Sequence, residues 1–141
     1  MTNLEKAKKL LLSENYTCVL CNGDSIHTSV LRGVKPLVQW KEQDLSVQGF
    51  SAADKVIGKA TAFLYVLLGI SKVYAGVISR PALAVLQEYG VYTEYGTLVD
   101  NIINRAGDGI CPFEAAVMGI CRPEEAYMAI RRKMQDMNIS I

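Results

Sequence analysis

Apolar and polar positions recur with two different periods along the chain, and the changes of period mark out its elements. Leu4, Ala7, Leu11 and Leu12 stand at helical spacing with lysines between them, which predicts an amphipathic helix over Asn3–Ser13. Tyr16–Cys21 and Ile26–Leu31 are β-rich runs separated by Asn22-Gly23-Asp24-Ser25. Asn-Gly at that point predicts a hairpin, because both residues tolerate positive φ. Pro36 suits a first helical turn and is followed by Leu37, Val38 and Trp40, so a short helix is expected to begin there.

The most strongly periodic segment is Ser51–Leu68. Ser51-Ala52-Ala53-Asp54 reads as a capping box, and Ala53, Val56, Ile57, Ala60, Phe63, Leu64 and Leu67 keep a helical period, so one buried helix is expected with its charges in the first turns. Lys72–Ile78 then alternates, Ser79-Arg80-Pro81 opens a helix ending at Tyr89-Gly90, and Val91–Glu94 is a short strand. Strand, helix, strand at this spacing is a right-handed βαβ unit with parallel strands. Thr97–Arg105 fits a short capped helix or a strand equally well. Ala106–Gly109 reads as a loop, and two helices follow, opened by Cys111-Pro112 and Arg122-Pro123, the last running to about Met137. This order implies an α/β fold: a three-layer α/β/α sandwich around a mixed sheet of four to five strands, with residues 1–141 as one domain.

Composition narrows the class. The 141 residues are 50% hydrophobic and 21% charged, which excludes disordered, collagen-like and disulfide-scaffold chains. Fifteen Lys and Arg against fourteen Asp and Glu leave +1, so the electrostatic footprint of a nucleic-acid polymer partner is missing. The run Leu10-Leu11-Leu12 is too short for a secretory core, and Ala62–Ile70 falls well below the roughly 18 residues of a membrane span. A cytoplasmic protein without a membrane partner is therefore expected, with Cys18, Cys21, Cys111 and Cys121 as reduced thiols.

A hairpin, a buried helix, a strand, and a helix opening at Ser79-Arg80-Pro81 resemble the core of the cytidine-deaminase-like fold. The segments Gly49–Leu68, Tyr74–Gly90 and Asn104–Glu114 (Asn-Arg-Ala-Gly-Asp-Gly-Ile-Cys-Pro-Phe-Glu) resemble domain of unknown function 1893, a small bacterial family assigned to that fold, over roughly Ser13–Arg132. The family has no established activity, so the resemblance implies a fold and no reaction. Zinc deaminases carry His-x-Glu or Cys-x-Glu at the start of the buried helix and Pro-Cys-x-x-Cys at the next one, holding a metal that acidifies water while the Glu shuttles protons. Here the corresponding stretches read Val56-Ile57-Gly58-Lys59-Ala60-Thr61 and Pro81-Ala82-Leu83-Ala84-Val85. Every ligand and the shuttle are missing, so no zinc deaminase activity is expected. Cys18-x-x-Cys21 has a ligand-like gap, but in a strand those residues point to opposite faces. No metal and no cofactor are expected.

Candidate chemistry gathers at helix starts and one loop. Ser79 and Arg80 follow a strand's carboxyl end, where free N–H groups, a helix dipole and a guanidinium can hold an anion; an ordinary N-cap uses the same geometry. Asp54, Lys55 and Lys59 open the expected central helix, the two lysines as an i,i+4 pair able to bridge an anion and Asp54 as a capping carboxylate. Gly58 between them leaves room for a close approach. Cys111 takes an N-cap position before Pro112, where a thiolate is stabilised, with Glu114 at N3 as a box-like cap or acid/base partner; a buried, inert thiol is the plainer reading. The loop containing Asn104, Arg105 and Asp108 combines amide, guanidinium and carboxylate with two glycines.

Two functions follow from these residues. The first is a binding module for a nucleotide-like or other small anionic ligand, recognised by Asp54, Lys55, Lys59, Ser79, Arg80, Asn104 and Arg105. The alternative is a metal-free enzyme using Cys111 as nucleophile with Glu114, Asp108 or Lys59 in proton transfer. Assembly into a homo-oligomer is compatible with the apolar composition.

Overall fold

The computed structural model describes residues 1–104 and 106–141. In chain order the elements are α1 (Asn3–Ser13), β1 (Cys18–Asn22), β2 (Ser25–Ser29), α2 (Lys35–Glu42), β3 (Ser51–Ile57), α3 (Lys59–Leu68), β4 (Lys72–Ser79), α4 (Arg80–Glu88), β5 (Tyr92–Val99), α5 (Pro112–Ala116) and α6 (Pro123–Asp136). The five strands form one sheet in the order β2-β1-β3-β4-β5. β1 is antiparallel to both neighbours, and β3, β4 and β5 run parallel. The expected mixed sheet, flanked by helices as in a three-layer α/β/α arrangement, is what the chain forms. No helix is long and apolar enough to cross a membrane among the described residues.

Local chemistry explains most of these elements. Thr2 and Glu5 close a reciprocal capping box on α1, whose Leu4, Ala7 and Leu11 pack on Val19, Cys21, Ala53 and Tyr74. The hairpin pairs Asn22 with Ser25, so Gly23-Asp24 form the two-residue turn and Gly23 takes the positive φ, 61°, that such a turn needs. The opposite sheet face carries the larger core: Leu20, Ala52, Ile57, Val73, Ala75 and Ile78 lie under Phe63, Leu64 and Tyr65 of α3, with Ile130 and Met134 of α6. Cys18 belongs to this core and Cys21 to the one under α1, on opposite faces as their spacing requires.

The expected single helix over Ser51–Leu68 is two elements. Residues 51–57 form β3, Gly58 is the N-cap of α3 with φ −93° and ψ 177°, and the helix starts at Lys59. Three departures follow. Asp54 caps nothing in a helix: it lies in β3, its Oδ2 accepting the Tyr65 hydroxyl at 2.6 Å and its Oδ1 the Val56 N–H at 3.2 Å. Lys55 and Lys59 do not share a helical face, because Lys55 is a strand residue reaching Asn15 Oδ1 at 3.5 Å. Gly58 is a helix boundary, not a helix interior. At the other end, β5 runs on through Val99, and Ile103 then makes an isolated bridge to Ile110.

The three parallel strands share one irregularity. Pairing runs through Asp54–Ala75 and Ala75–Tyr95, omits the next residue on each strand, and resumes at Val56–Val77 and Val77–Thr97. Side-chain facing slips by one at this level, so that Ala75 and Ile78, three apart, enter the same core. The backbones are crowded there: a Cβ on Gly76 would sit 2.7 Å from the Lys55 carbonyl oxygen, and one on Gly96 2.9 Å from that of Gly76. Only glycine fits such an approach. Gly76→Ala is expected to cost about 2 kcal/mol in urea unfolding, although Ala is ordinarily the better strand residue; a neutral result would mean that the strands separate freely at this level.

Asp54 is buried with Tyr65 and Cys18. The tyrosine's single hydroxyl hydrogen goes to Asp54, so the Cys18 thiol, 3.0 Å away, is the donor to Tyr65. Burial pushes the Asp54 carboxyl from 3.8 up to about 7, against the Tyr65 and backbone hydrogen bonds that lower it. Burial likewise raises the Tyr65 hydroxyl and the Cys18 thiol, the negative Asp54 adding to both. A carboxyl raised on folding favours the native state while protonated, so its contribution is full below about pH 4 and is lost as pH rises through 7. Asp54→Asn, whose single oxygen can accept from Tyr65 or from Val56 but not from both, is expected to remove that fall between pH 5 and pH 8, with the lost hydrogen bond appearing as an offset that does not change with pH. Urea titrations at pH 5 and pH 8 read it directly; parallel pH dependences in the two proteins would contradict it.

Candidate functional site

β2 runs parallel to β3, because both are antiparallel to β1. The carboxyl ends of β2, β3, β4 and β5 therefore lie along one side of the sheet, the side where open α/β sheets receive ligands. Beyond β2, residues 30–35 meet α5 and the end of α6 around a cavity of about 310 Å³. Val30, Leu31, Val34, Phe113, Met134 and Ile139 make its walls apolar, and Arg32 and Lys35 supply its charge. No acidic side chain lines it, and neither cation is in an ion pair among the described residues.

Helix α2 opens onto the same cavity. Its N-cap is Val34, which offers no side-chain acceptor, and Pro36 has no N–H. The ladder begins with Val38 N–H to Val34 O at 3.0 Å, so the N–H groups of Lys35 and Leu37 lack intrahelical partners. A guanidinium, an ammonium and the positive end of an uncapped helix thus converge on an apolar hollow. The walls are tied together from behind: Glu42 near the end of α2 accepts from both Tyr127 and Arg131 of α6. These contacts hold the Glu42 carboxyl below the usual range, the Tyr127 hydroxyl being the largest cause.

The residues expected to bind the anion are spread along this side of the sheet rather than gathered. Ser79 caps α4 by accepting the Ala82 N–H at 3.2 Å, and Arg80 pairs with Asp100 at 2.9 Å on the exposed surface. The Lys59 ammonium lies 5.8 Å from the Phe63 ring. Asn104 is occupied with Asp108, at 2.9 Å from its amide nitrogen and 3.3 Å to its side-chain oxygen, closing the loop between Ile103 and Ile110. Arg105 lies outside the described residues. Asp54 is sealed beneath α3, and Lys55 points to Asn15. Arg32 and Lys35 are the cations that sequence spacing missed; the combination of Arg, Gly, an uncapped start and Pro36 was the available signal.

The nucleophile reading meets different neighbours. Cys111 is the N-cap of α5, a helix of only five residues, and makes no side-chain capping bond. Its N–H donates to Ile102 O at 2.9 Å, so the box-like bond expected from Glu114 does not form. Glu114 turns to α3 instead, where Oε2 accepts the Lys59 N–H at 2.8 Å and caps a helix whose own N-cap residue has no side chain. Gly58 allows this approach, since a Cβ there would sit 2.9 Å from Glu114 Cδ. Asp108 is held by Asn104, and no base is hydrogen-bonded to Cys111 among the described residues.

The starts of α3 and α4 also bear on zinc. They read Gly58-Lys59-Ala60-Thr61 and Ser79-Arg80-Pro81-Ala82, without His or Cys; Glu114 at the start of α3 is bound to a backbone N–H, and Asp100 at the start of α4 is paired with Arg80. These side chains do not fit a deaminase zinc, which needs thiolate and imidazole donors. Among the described residues no three His, Cys, Asp or Glu side chains are grouped to hold a metal ion.

Comparison with known proteins agrees with this fold. A family model described as domain of unknown function, DUF1893, matches residues 6–134. The crystal structure of a DUF1893 family protein from Thermotoga maritima is similar to this chain at 30% identity, with a TM-score of 0.86, covering 94% of this chain and 91% of that one. No functionally curated protein matches.

Exposure sets an order for the four thiols: Cys121 exposed, Cys111 partly buried, Cys18 and Cys21 buried. Iodoacetamide at neutral pH is expected to alkylate Cys121 first, Cys111 more slowly, and the other two only after unfolding. Cys111 reacting faster than Cys121 would restore the nucleophile reading.

Proposed function

The chain belongs to the DUF1893 family, and from that premise we propose that it is a binding protein for a small anionic, nucleotide-like ligand, without zinc-dependent deaminase chemistry. The cavity beyond β2 carries the reading. Its volume, about 310 Å³, falls at the lower end of the roughly 300–1,000 Å³ typical of small-molecule pockets, a size for a mononucleotide rather than a dinucleotide. Arg32, Lys35 and the first turn of α2 offer a phosphate two positive charges and free N–H groups. Phe113, Met134 and Ile139 offer apolar contact to the rest of the molecule.

We take the fold as cytidine-deaminase-like. The order β2-β1-β3-β4-β5 with β1 reversed supports this, as do two helices that begin directly at the carboxyl ends of β3 and β4. The scaffold would then retain a ligand site on its usual side of the sheet while the metal positions fall in Val56–Thr61 and at Ala82 and Val85, without His or Cys.

Adenosine, cytidine, guanosine and uridine 5′-monophosphates at about a hundred times Kd are expected to raise the melting temperature by roughly 5–10 °C, against little change with the uncharged nucleosides. Arg32→Glu combined with Lys35→Glu should abolish the shift, both residues lying at the surface of the cavity. No shift with any monophosphate, or an equal shift in the double variant, would refute the reading.

A further inference from the structure

Glu114 has one oxygen with work to do and one without. Its Oε2 caps α3 through the Lys59 N–H, whereas Oε1 is closed off from solvent and has no hydrogen-bond partner among the described residues, in a residue only 7% exposed. A buried carboxylate oxygen left unpaired is costly, and native proteins satisfy such atoms with a donor. The donor is not supplied by α3 itself. Ala62 N–H opens the helical ladder to Gly58 O at 2.9 Å, and Lys59 N–H is taken, so the N–H groups of Ala60 and Thr61 are free of intrahelical bonds. An unsatisfied acceptor therefore stands beside unsatisfied donors at the positive end of a ten-residue helix. Gly58 is what lets Oε1 and Ile102 come this close, since a Cβ there would lie 3.0 Å from Oε1 and 3.2 Å from Ile102 Cγ1.

We propose that this turn of α3 with Glu114 is the subsite for the ring of the ligand, and that it selects a lactam or imide edge: a ring N–H donating to Glu114 Oε1 beside a ring carbonyl accepting from the first turn of α3. The inference rests on the phosphate reading of the cavity and deepens it. Phe113 and Glu114 are consecutive, about 3.8 Å apart along the chain, and one turn of α5 presents the first to the cavity and the second to α3. The half-buried Ile102 side chain, beside Gly58, is the group that a ring displaces or stacks upon.

Calorimetric titration of the full chain separates the two levels. Ribose 5-phosphate reads the phosphate site alone; uridine and inosine 5′-monophosphates add a ring N–H beside a carbonyl; the 3-methyluridine and 1-methylinosine monophosphates remove that N–H. The expectation is that at least one of the two nucleotides binds ten times or more tighter than ribose 5-phosphate and that methylation erases the gain. Glu114→Gln should also erase it. Equal affinity for methylated and unmethylated nucleotides overturns the subsite whether or not the variant folds. Ribose 5-phosphate bound with no gain from either base overturns the subsite and leaves the phosphate reading standing. No binding by any of the five compounds removes both.

Discussion

The close approach of three parallel strands at Lys55, Gly76 and Gly96 is the constraint on which the rest of the structure depends. Carbonyl oxygens of one strand occupy the space that a side chain on the next would need, and the facing of all three strands slips together. Before that level the strands bury Ala52, Val73 and Ala75 on the main face; after it they bury Ile57 and Ile78 there. Each strand then ends within two residues of its slip or shortly after, and β3 and β4 pass straight into helices, at Gly58 and Ser79. Without the slip, Ile57 and Ile78 would face away from α3, and the helices could not start where they do. Asp54 takes part: its Oδ1 binds the Val56 N–H across the irregularity and its Oδ2 binds Tyr65 in α3, so one buried carboxyl joins the strand's change of facing to the helix above it.

That joint explains why charge is placed as it is. α3 and α4 begin directly at strand ends, which leaves little chain for capping side chains, whereas five residues separate α2 from β2, and the three starts are capped differently. α4 uses Ser79 in the ordinary way, α3 borrows Glu114 from a distant segment, and α2 uses nothing. The uncapped end is the one flanked by Arg32 and Lys35. A chain with a net charge of +1 thus places two cations together at one hollow.

Much of the architecture was legible from pattern. α1, the hairpin, the βαβ unit and α6 follow from capping residues, turn glycines and periodicity. Ser51–Leu68 misled for a physical reason. The first four residues of β3 are buried on both faces, so Ala52 and Ala53 lack the polar alternation that marks a half-exposed strand, and the exposed Val56 with buried Ile57 merges with the apolar helix after them. Gly58 was the break, and reading it as a helix interior turned Asp54 and Lys55 into first-turn residues. The site was less legible still. Its cavity joins residues 30–35 with Phe113, Met134 and Ile139, segments that no local motif relates. Glu114 was recognisable as a cap, but the helix it caps could be known only from the fold.

The relation between Glu114 and Cys111 bears on the choice between the proposed binding function and nucleophilic catalysis. A thiol at a helix start becomes a nucleophile when a base takes its proton and the helix dipole stabilises the thiolate. Here α5 has only five residues to supply a dipole, and the one carboxylate within its first turn is directed away, to Lys59 N–H on α3. The same bond that removes Glu114 from Cys111 gives α3 its cap and leaves Oε1 facing Gly58. A carboxylate fixed by a backbone N–H on one oxygen and unsatisfied on the other is arranged to accept a hydrogen bond in place, with no nucleophile beside it to activate. That arrangement is consistent with the binding function proposed above.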